Sequence, residues 1–575
     1  MTFSALAQAG LLLLAVRLLA APLGEYLARV FDDRARGATR LFGPLERLLL
    51  RLAGDAASKD SMSWQGYAAA LLAFNAAGML LLYALLRAQA LLPLNPGHHH
   101  GLPPLLALNT AVSFVTNTNW QAYAAETTVS HLAQAAGLAV WNFLSAATGL
   151  AALAAIARGF AGRDTTGLGN FWRDLVRVTV HVLLPLSLVL ALVLVSQGVV
   201  QSWSGEAPIA PLQPAAMGTA LPLGPVASQV AIKQLGTNGG GFYNANSAHP
   251  FENPTPLSNF LECLAILLLP AACCFAFGAL VRDRRQGRAL FAVMLVIFLP
   301  LMLVALGGEQ ASIPALTQSG VDQAAGPWQG GGHLEGKEVR FGAGGTALWA
   351  AATTAASNGS VNGLHGSLTP AATLVTLGLM QTGEVVFGGV GSGVYGLLAF
   401  LVIAVFLAGL MIGRAPEYLG KKLEAREMKL AALAILLPAA AVLLGTAVAC
   451  AVPAGAGAVL NPGARAFSEI LYAFTSGANN NGSALAGLDA ARGFYTVGLA
   501  IAMLVGRYWV IVPMLALAGS LACRKAAPPS SGSLSTHAPL FVLFLAATVL
   551  IVGALTFAPA LALGPVVEMF RLGAS

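Results

Sequence analysis

Four short polar tripeptides recur along this chain at a nearly constant interval: Thr116-Asn117-Thr118, Thr237-Asn238-Gly239, Ser357-Asn358-Gly359 and Asn480-Asn481-Gly482. Their third residues stand 121, 120 and 123 positions apart, and each lies between long apolar segments. Such a period predicts one structural unit used four times around a common axis. Four backbone loops meeting on an axis have the geometry that strips water from a monovalent cation.

Composition sets the medium. Of 575 residues, 57% are hydrophobic and only 10% are charged, with a mean hydropathy of +0.73. Soluble domains carry about 25% charged residues, so the chain reads as an all-α polytopic membrane protein. A spanning helix needs about 20 mostly apolar residues. Ten such segments are expected, near 3–30, 64–92, 131–157, 171–199, 257–281, 288–307, 370–413, 428–452, 493–523 and 538–560. No basic region precedes the first, which argues against a cleaved signal peptide. The net charge of +7 does not point to nucleic acid, because the cations are confined to short loops.

Those loops set the orientation. Residues 31–63 hold six Lys/Arg, 158–177 four, 282–288 four, 414–429 five and 524–525 two. The alternate loops hold few: none in 93–130, one in 200–256, two in 308–369 and two in 453–492. The positive-inside rule puts the basic loops in the cytoplasm and all four motifs, with both termini, on the outer face. Residues 370–413 are long enough for two crossings, but two would invert everything downstream. One broken helix keeps the alternation, with the break at Gly388-Gly389-Val390-Gly391-Ser392-Gly393. Irregular backbone at membrane depth is tolerated only where protein buries it or it lines a wet cavity.

The expected architecture is four pseudo-symmetric helix–pore loop–helix repeats plus one extra helix at each end. The divisions are 1–63 (N-terminal helix and cytoplasmic loop), 64–170, 171–287, 288–427 and 428–530 (the four repeats), and 531–575 (C-terminal helix). Short half-helices are expected before each motif, at 106–115, 228–235, 348–356 and 468–477.

The motif chemistry fits a cation. Inward carbonyls require unusual dihedrals, which glycine adopts freely and asparagine tolerates next best. Gly239, Gly359 and Gly482 suit that role, with Gly240 and Asn119 beside the motifs, and Thr118 stands where a fourth glycine is expected. Thr237 and Ser357 add hydroxyl oxygens, the Asn side chains can bond to neighbouring loops, and Trp120 and Gln121 can brace the first. One Asn-Gly alone would mark a turn, and Asn358 and Asn481 also match the glycosylation sequon. Four at equal spacing on one face favour the ion site.

Other features are weaker. His98-His99-His100 reads as a solvated loop rather than a metal site. Cys263, Cys273, Cys274, Cys450 and Cys523 read as small buried hydrophobes. Glu384 and Arg507 fall within apolar spans, where ionisable groups are costly and by default functional; they are candidates to pair near the broken helix. Lys233 reads as a structural charge of the outer vestibule. No phosphate loop, phosphorylation motif or sizeable cytoplasmic domain occurs, so ATP hydrolysis is excluded for this chain.

The runs Val115-Thr-Asn-Thr-Asn-Trp-Gln121, Gly236-Thr-Asn-Gly-Gly-Gly-Phe242, Gly383-Glu-Val-Val-Phe-Gly-Gly-Val-Gly391, Arg414-Ala-Pro-Glu-Tyr-Leu-Gly-Lys-Lys422 and Ala478-Asn-Asn-Asn-Gly-Ser-Ala484 resemble the potassium-binding subunits of bacterial Kdp potassium-transporting ATPases. The resemblance covers essentially the whole chain. It implies the superfamily of potassium transporters with four helix–pore–helix repeats, and a complex in the bacterial inner membrane. Its implied partners are a P-type ATPase catalytic subunit, a chaperone-like single-span subunit and a small single-span subunit. Potassium is then the substrate, without a covalent cofactor, and leaves sideways toward the ATPase subunit. Glu384, Gly388, Gly389, Gly391 and Arg507 match positions near the branch point, and Gln121 a filter support. An autonomous Trk/Ktr/HKT-type channel or symporter is the alternative, disfavoured by the extra end helices and the Arg-Ala-Pro-Glu-Tyr loop.

Overall fold

The computed structural model describes residues 2–32, 36–58, 61–209, 220–413, 415–525 and 535–574. Among them, ten helices are long and apolar enough to cross a membrane. The chain is therefore a multi-pass, all-α membrane protein. A helix satisfies its own backbone, which lipid cannot do.

In chain order the helices are α1 (Phe3–Phe31), α2 (Arg36–Leu52), α3 (Trp64–Leu91), α4 (Pro104–Val115), α5 (Ala133–Ala161), α6 (Phe171–Ser196), α7 (Val226–Leu235), α8 (Pro256–Leu280) and α9 (Arg284–Gln310). There follow α10 (Gly342–Ala355), α11 (Pro370–Gln381), α12 (Ser392–Ile412), α13 (Ala425–Ala451), α14 (Ala464–Ala478), α15 (Gly493–Ala522) and α16 (Pro539–Leu561). Four of them, α4, α7, α10 and α14, are the short helices that precede the tripeptides. They begin two to six residues earlier than the sequence suggests.

The long segment 370–413 does hold one broken helix. The break, however, covers Thr382–Gly391, and Gly393 already lies in α12. Gly383 and Gly391 have φ of 81° and 88°, and the non-glycine residues Glu384 and Phe387 also have positive φ. Dihedrals of that kind cost of order 1–3 kcal/mol for non-glycine residues and persist only where the surroundings impose them. Phe387 packs edge-on against Phe291 and Phe298 of α9, and the end of the break meets α5: a Cβ on Gly391 would overlap the Gly149 carbonyl, and one on Gly149 would overlap that of Val390. Backbone meets backbone directly, and only glycine permits it.

At the end of the molecule where the basic loops gather, Arg158 of α5 makes a two-pronged pair with Asp174 of α6, at 2.6 and 2.8 Å. Tyr67 of α3 donates to the same carboxylate at 3.0 Å. Nearby, Glu417-Tyr418 and Lys421-Lys422 form a small antiparallel hairpin. Its turn, Leu419-Gly420, has positive φ at both residues, as tight hairpins prefer. Arg414, part of the run that prompted the resemblance, lies outside the described residues. Lys421 is buried, and its Nζ donates to the carbonyls of Gly159 and Leu521, each at 2.9 Å. Those carbonyls belong to the last turns of α5 and α15, which have no partners inside their own helices. One ammonium thus caps two helix ends and complements both dipoles.

Lys421→Met should leave these two carbonyls without their donor and lower stability by about 2 kcal/mol. Thermal unfolding of the purified chain in detergent checks this; an unchanged midpoint would mean that other groups cap the two helices.

Candidate functional site

Each short helix ends in the same way. After α4, α7, α10 and α14, the residue following the cap takes a positive φ: Asn117 (68°), Thr237 (48°), Ser357 (49°) and Asn480 (49°). The next amide reaches back five residues, from Thr118 to Ser113, Asn238 to Lys233, Asn358 to Thr353 and Asn481 to Ser476, at 2.8–2.9 Å. These matched turns correct the register of the first tripeptide. Asn117, not Thr116, corresponds to Thr237, Ser357 and Asn480. Asn119, not Thr118, therefore stands at the glycine position, beside Gly239, Gly359 and Gly482. Its φ of 58° is positive, as are those of Gly359 (88°) and Gly482 (99°), a conformation that asparagine tolerates better than most residues. The sequence hid this because Thr-Asn occurs twice in succession.

The loops close into a ring through their side chains. Asn117 Nδ2 donates to the Thr237 carbonyl (2.8 Å), and Asn358 Nδ2 to that of Asn238 (3.1 Å). Asn481 Nδ2 donates to the Thr353 carbonyl (2.9 Å), Ser357 Oγ to that of Asn479 (2.8 Å), and Asn480 Nδ2 to Thr118 Oγ1 (2.8 Å). Every neighbouring pair of loops, one–two, two–three, three–four and four–one, is thereby joined. The glycines follow the same circuit. A Cβ on Gly239 would come within 2.8 Å of the Asn358 carbonyl, one on Gly359 would overlap that of Asn481, and one on Gly482 that of Thr118.

Asn119, Gly239, Gly359 and Gly482 together line one open vestibule of about 480 Å³. On the other side of the ring, Asn479 and Asn480 line a second cavity with Glu384, Arg507 and residues of α13 and α16. The ring thus stands between two cavities, with four helix C-termini leading into it. Carbonyl ends of helices carry partial negative charge, which favours a cation. Among the described residues there is no cluster of metal-ligating side chains, so the oxygens on offer are backbone carbonyls and hydroxyls.

The other sequence candidates fall into place around this ring. Gln121 clamps the first loop to the second, donating to the Gly241 carbonyl (3.3 Å) and accepting from its amide (3.0 Å). The loop of Gly388, Gly389 and Gly391 lies directly beneath: the Val390 amide donates to Thr237 Oγ1 at 3.0 Å. Glu384 and Arg507 line the same cavity but form no ion pair; Arg507 Nη2 donates instead to the Ser145 carbonyl at 2.7 Å. Lys233 is a structural charge, as expected, but it does not line the vestibule. It is fully buried, with Nζ on Glu252 (2.5 Å) and Asn246 (2.8 Å). Gly240 packs against the Phe114 ring. Asn358 and Asn481 are wholly buried and held, which rules out glycosylation of the folded chain. Cys450 and Cys523 are exposed, unlike the three buried cysteines, because they lie near helix ends on outward faces. His98 and His100 are exposed.

Two groups of residues escaped sequence reasoning. On α5, Asn142, Ser145 and Gly149 form one helical stripe beside the axis. The Asn142 carbonyl accepts from Asn238 Nδ2 (2.9 Å), its side chain meets Asn119, and Ser145 Oγ donates to Asn117 Oδ1 (2.7 Å). Their spacing of three and four within an apolar span was the available signal. On α7, Gln234 Oε1 accepts from Asn358 and Ser360, while its Nε2 donates to Ser247 and Glu262.

Beside the open vestibule, His365 bonds to Tyr472 Oη (3.0 Å), which bonds to Ser483 Oγ (2.9 Å), which reaches Asn481 of the ring (2.5 Å). Burial, with Lys337 nearby, pushes the His365 imidazole down to about 4. The unfolded chain, near 6.5, then binds a proton that the fold does not, so stability falls as pH drops from about 6.5 toward 4. His365→Gln should flatten that fall in melting temperature over this window; an unchanged acid profile would place the loss elsewhere.

The chain matches the family described as "Potassium-transporting ATPase A subunit" over residues 10–570. It is 59% identical over 579 residues to a protein of Sorangium cellulosum named potassium-transporting ATPase potassium-binding subunit, covering 100% of both chains. A protein of the same name from Herpetosiphon aurantiacus is 58% identical, with 98% of each chain covered. Among solved structures, the potassium transporter TrkH from Vibrio parahaemolyticus aligns with 86% of this chain and 97% of its own, at 14% identity and a TM-score of 0.49, a likeness too distant to build on.

Proposed function

Because the chain belongs to the family of potassium-transporting ATPase A subunits, we propose that it is the potassium-binding and translocating subunit of an ATP-driven, high-affinity uptake complex. Potassium enters the vestibule from the outer face, loses its water at the ring of Asn119, Gly239, Gly359 and Gly482, and passes into the cavity below. The wider filter comprises Thr116, Asn117, Thr118, Thr237, Asn238, Gly240, Ser357, Asn358, Asn480 and Asn481, with Gln121 as its support.

The observation that carries this reading is the closed circuit of side-chain bonds among the four loops, set between an outer vestibule and an inner cavity. Such a circuit keeps the carbonyl oxygens at fixed spacing, which a cation meets without reorganising the protein. The loop 382–391 seats against Gly149 and Thr237 and bars the direct way down. The cavity is lined on one side by residues of α13 and α16, an arrangement that supports lateral delivery. Glu384 and Arg507 sit at the bend, one to attract the ion and one to bound its path. Gly388, Gly389 and Gly391 let the barrier pack closely.

The subunit itself is non-catalytic. ATP hydrolysis belongs to a P-type ATPase partner, with a chaperone-like single-span subunit and a small single-span subunit completing the complex. It resides in the bacterial inner membrane with both termini on the periplasmic face, as the distribution of basic loops supports.

Two measurements test this. Purified from the membranes of its native cell, the chain should co-purify with a P-type ATPase; a chain that transports potassium alone would overturn the assignment. Gly482→Ala places a methyl on the Thr118 carbonyl at a φ of 99°. It should raise the potassium KM at least tenfold and relax discrimination against sodium. Gly378→Ala, which meets nothing within 4 Å, should leave both unchanged.

A further inference from the structure

Helix α2 takes no part in the ring or the cavities, yet its surface is divided in a way that demands an explanation. Successive residues of a helix turn by about 100°. Glu46 faces the protein: its carboxylate pairs with Arg177 at 3.0 Å and His181 at 2.9 Å, both on α6. Phe42, Gly43, Leu49 and Leu50 flank it and are partly or fully buried. The apolar arc does not stop there. It continues around one side through Leu41, Leu45, Leu48 and Leu52, which are between 36% and 76% exposed. The opposite side carries Arg47 and Arg51, both exposed. Among the described residues neither forms an ion pair.

Four leucines in one stripe would be costly in water, at about 25 cal/mol per Å² of apolar surface. The position of the helix says what covers them. It begins five residues after the spanning helix α1 ends and is held to the first turns of α6, another spanning helix. Both ends lie at the face where basic residues gather. A helix with low overall hydrophobicity, a leucine arc and an arginine face, tied at that level, matches the geometry of an interfacial helix.

We infer that α2 is a lipid-binding element that lies in the membrane interface, with Leu41, Leu45, Leu48 and Leu52 among the acyl chains and Arg47 and Arg51 holding the phosphates of anionic phospholipids. The arginines favour anionic over zwitterionic headgroups because each brings a net charge to a surface of opposite sign. The leaflet, taken as cytoplasmic, rests on the orientation proposed above; the contact with lipid does not.

The test uses the assembled transporter in lipid nanodiscs. In a background where Cys450→Ser and Cys523→Ser remove the exposed thiols, Leu48→Cys carries a nitroxide. The label should collide readily with oxygen and poorly with a water-soluble nickel complex. Free collision with nickel would overturn the proposal. So would a label shielded from both reagents, which would mean that a protein partner covers the stripe. Separately, native mass spectrometry should find several-fold less phosphatidylglycerol retained by the Arg47→Gln/Arg51→Gln variant, with phosphatidylcholine unaffected; equal retention would remove the headgroup assignment. Neither readout depends on which side of the membrane α2 occupies, so a failed orientation remains distinguishable.

Discussion

Everything in this structure depends on how four stretches of irregular backbone are kept satisfied in the buried interior of a multi-pass membrane protein. Lipid offers no hydrogen bonds, and each buried polar group left alone costs several kcal/mol. The chain answers with amide side chains. Asn117, Asn358 and Asn480 each reach from one loop to the next, Asn481 reaches the last turn of α10, and Ser357 adds a further link. The same bonds that satisfy the loops also set their separation. A ring of set dimensions therefore arises from the need to solve a folding problem, and its spacing follows from the number of links rather than from any single strong one.

The ring is also tied to what lies under it. The stripe of Asn142, Ser145 and Gly149 on α5 touches the first and second loops above and the break between α11 and α12 below. Through Ser145 it also receives Arg507 of α15. The Val390 amide on Thr237 closes the circuit from beneath. One helix face thus holds the ring, the broken-helix loop and Arg507 in fixed relation. A change in that loop is coupled to the ring by direct hydrogen bonds, without any need for a long path through the protein.

Much of this was legible in the sequence because the constraints were repeated. Ten apolar stretches, four tripeptides and an alternating charge pattern each recur, and recurrence separates signal from chance. The broken helix was legible because length and charge alternation could be reconciled only one way. What escaped was singular. The one-residue shift at Asn119 was masked by the doubled Thr-Asn in Thr116–Asn119, and only the matching of turn geometries exposes it. Asn142 and Gln234 sit in ordinary helices, and their importance lies in partners over 90 residues away. Glu384 and Arg507 shared an unusual setting, which made a pair one candidate arrangement and left it open. The fold instead assigns Arg507 to a backbone carbonyl and leaves the two charges facing one cavity. The amphipathic α2 leaves no mark in a pattern of apolar spans, because its arginines make it too polar to cross.

The most direct test of the account is to locate the ion. Thallium mimics potassium in size and charge and scatters X-rays anomalously, so crystals of the complex grown with thallium should show its position. The account predicts the strongest peak on the axis of the ring, enclosed by the loops of Asn119, Gly239, Gly359 and Gly482. An empty ring, with thallium bound only elsewhere in the chain, would contradict it.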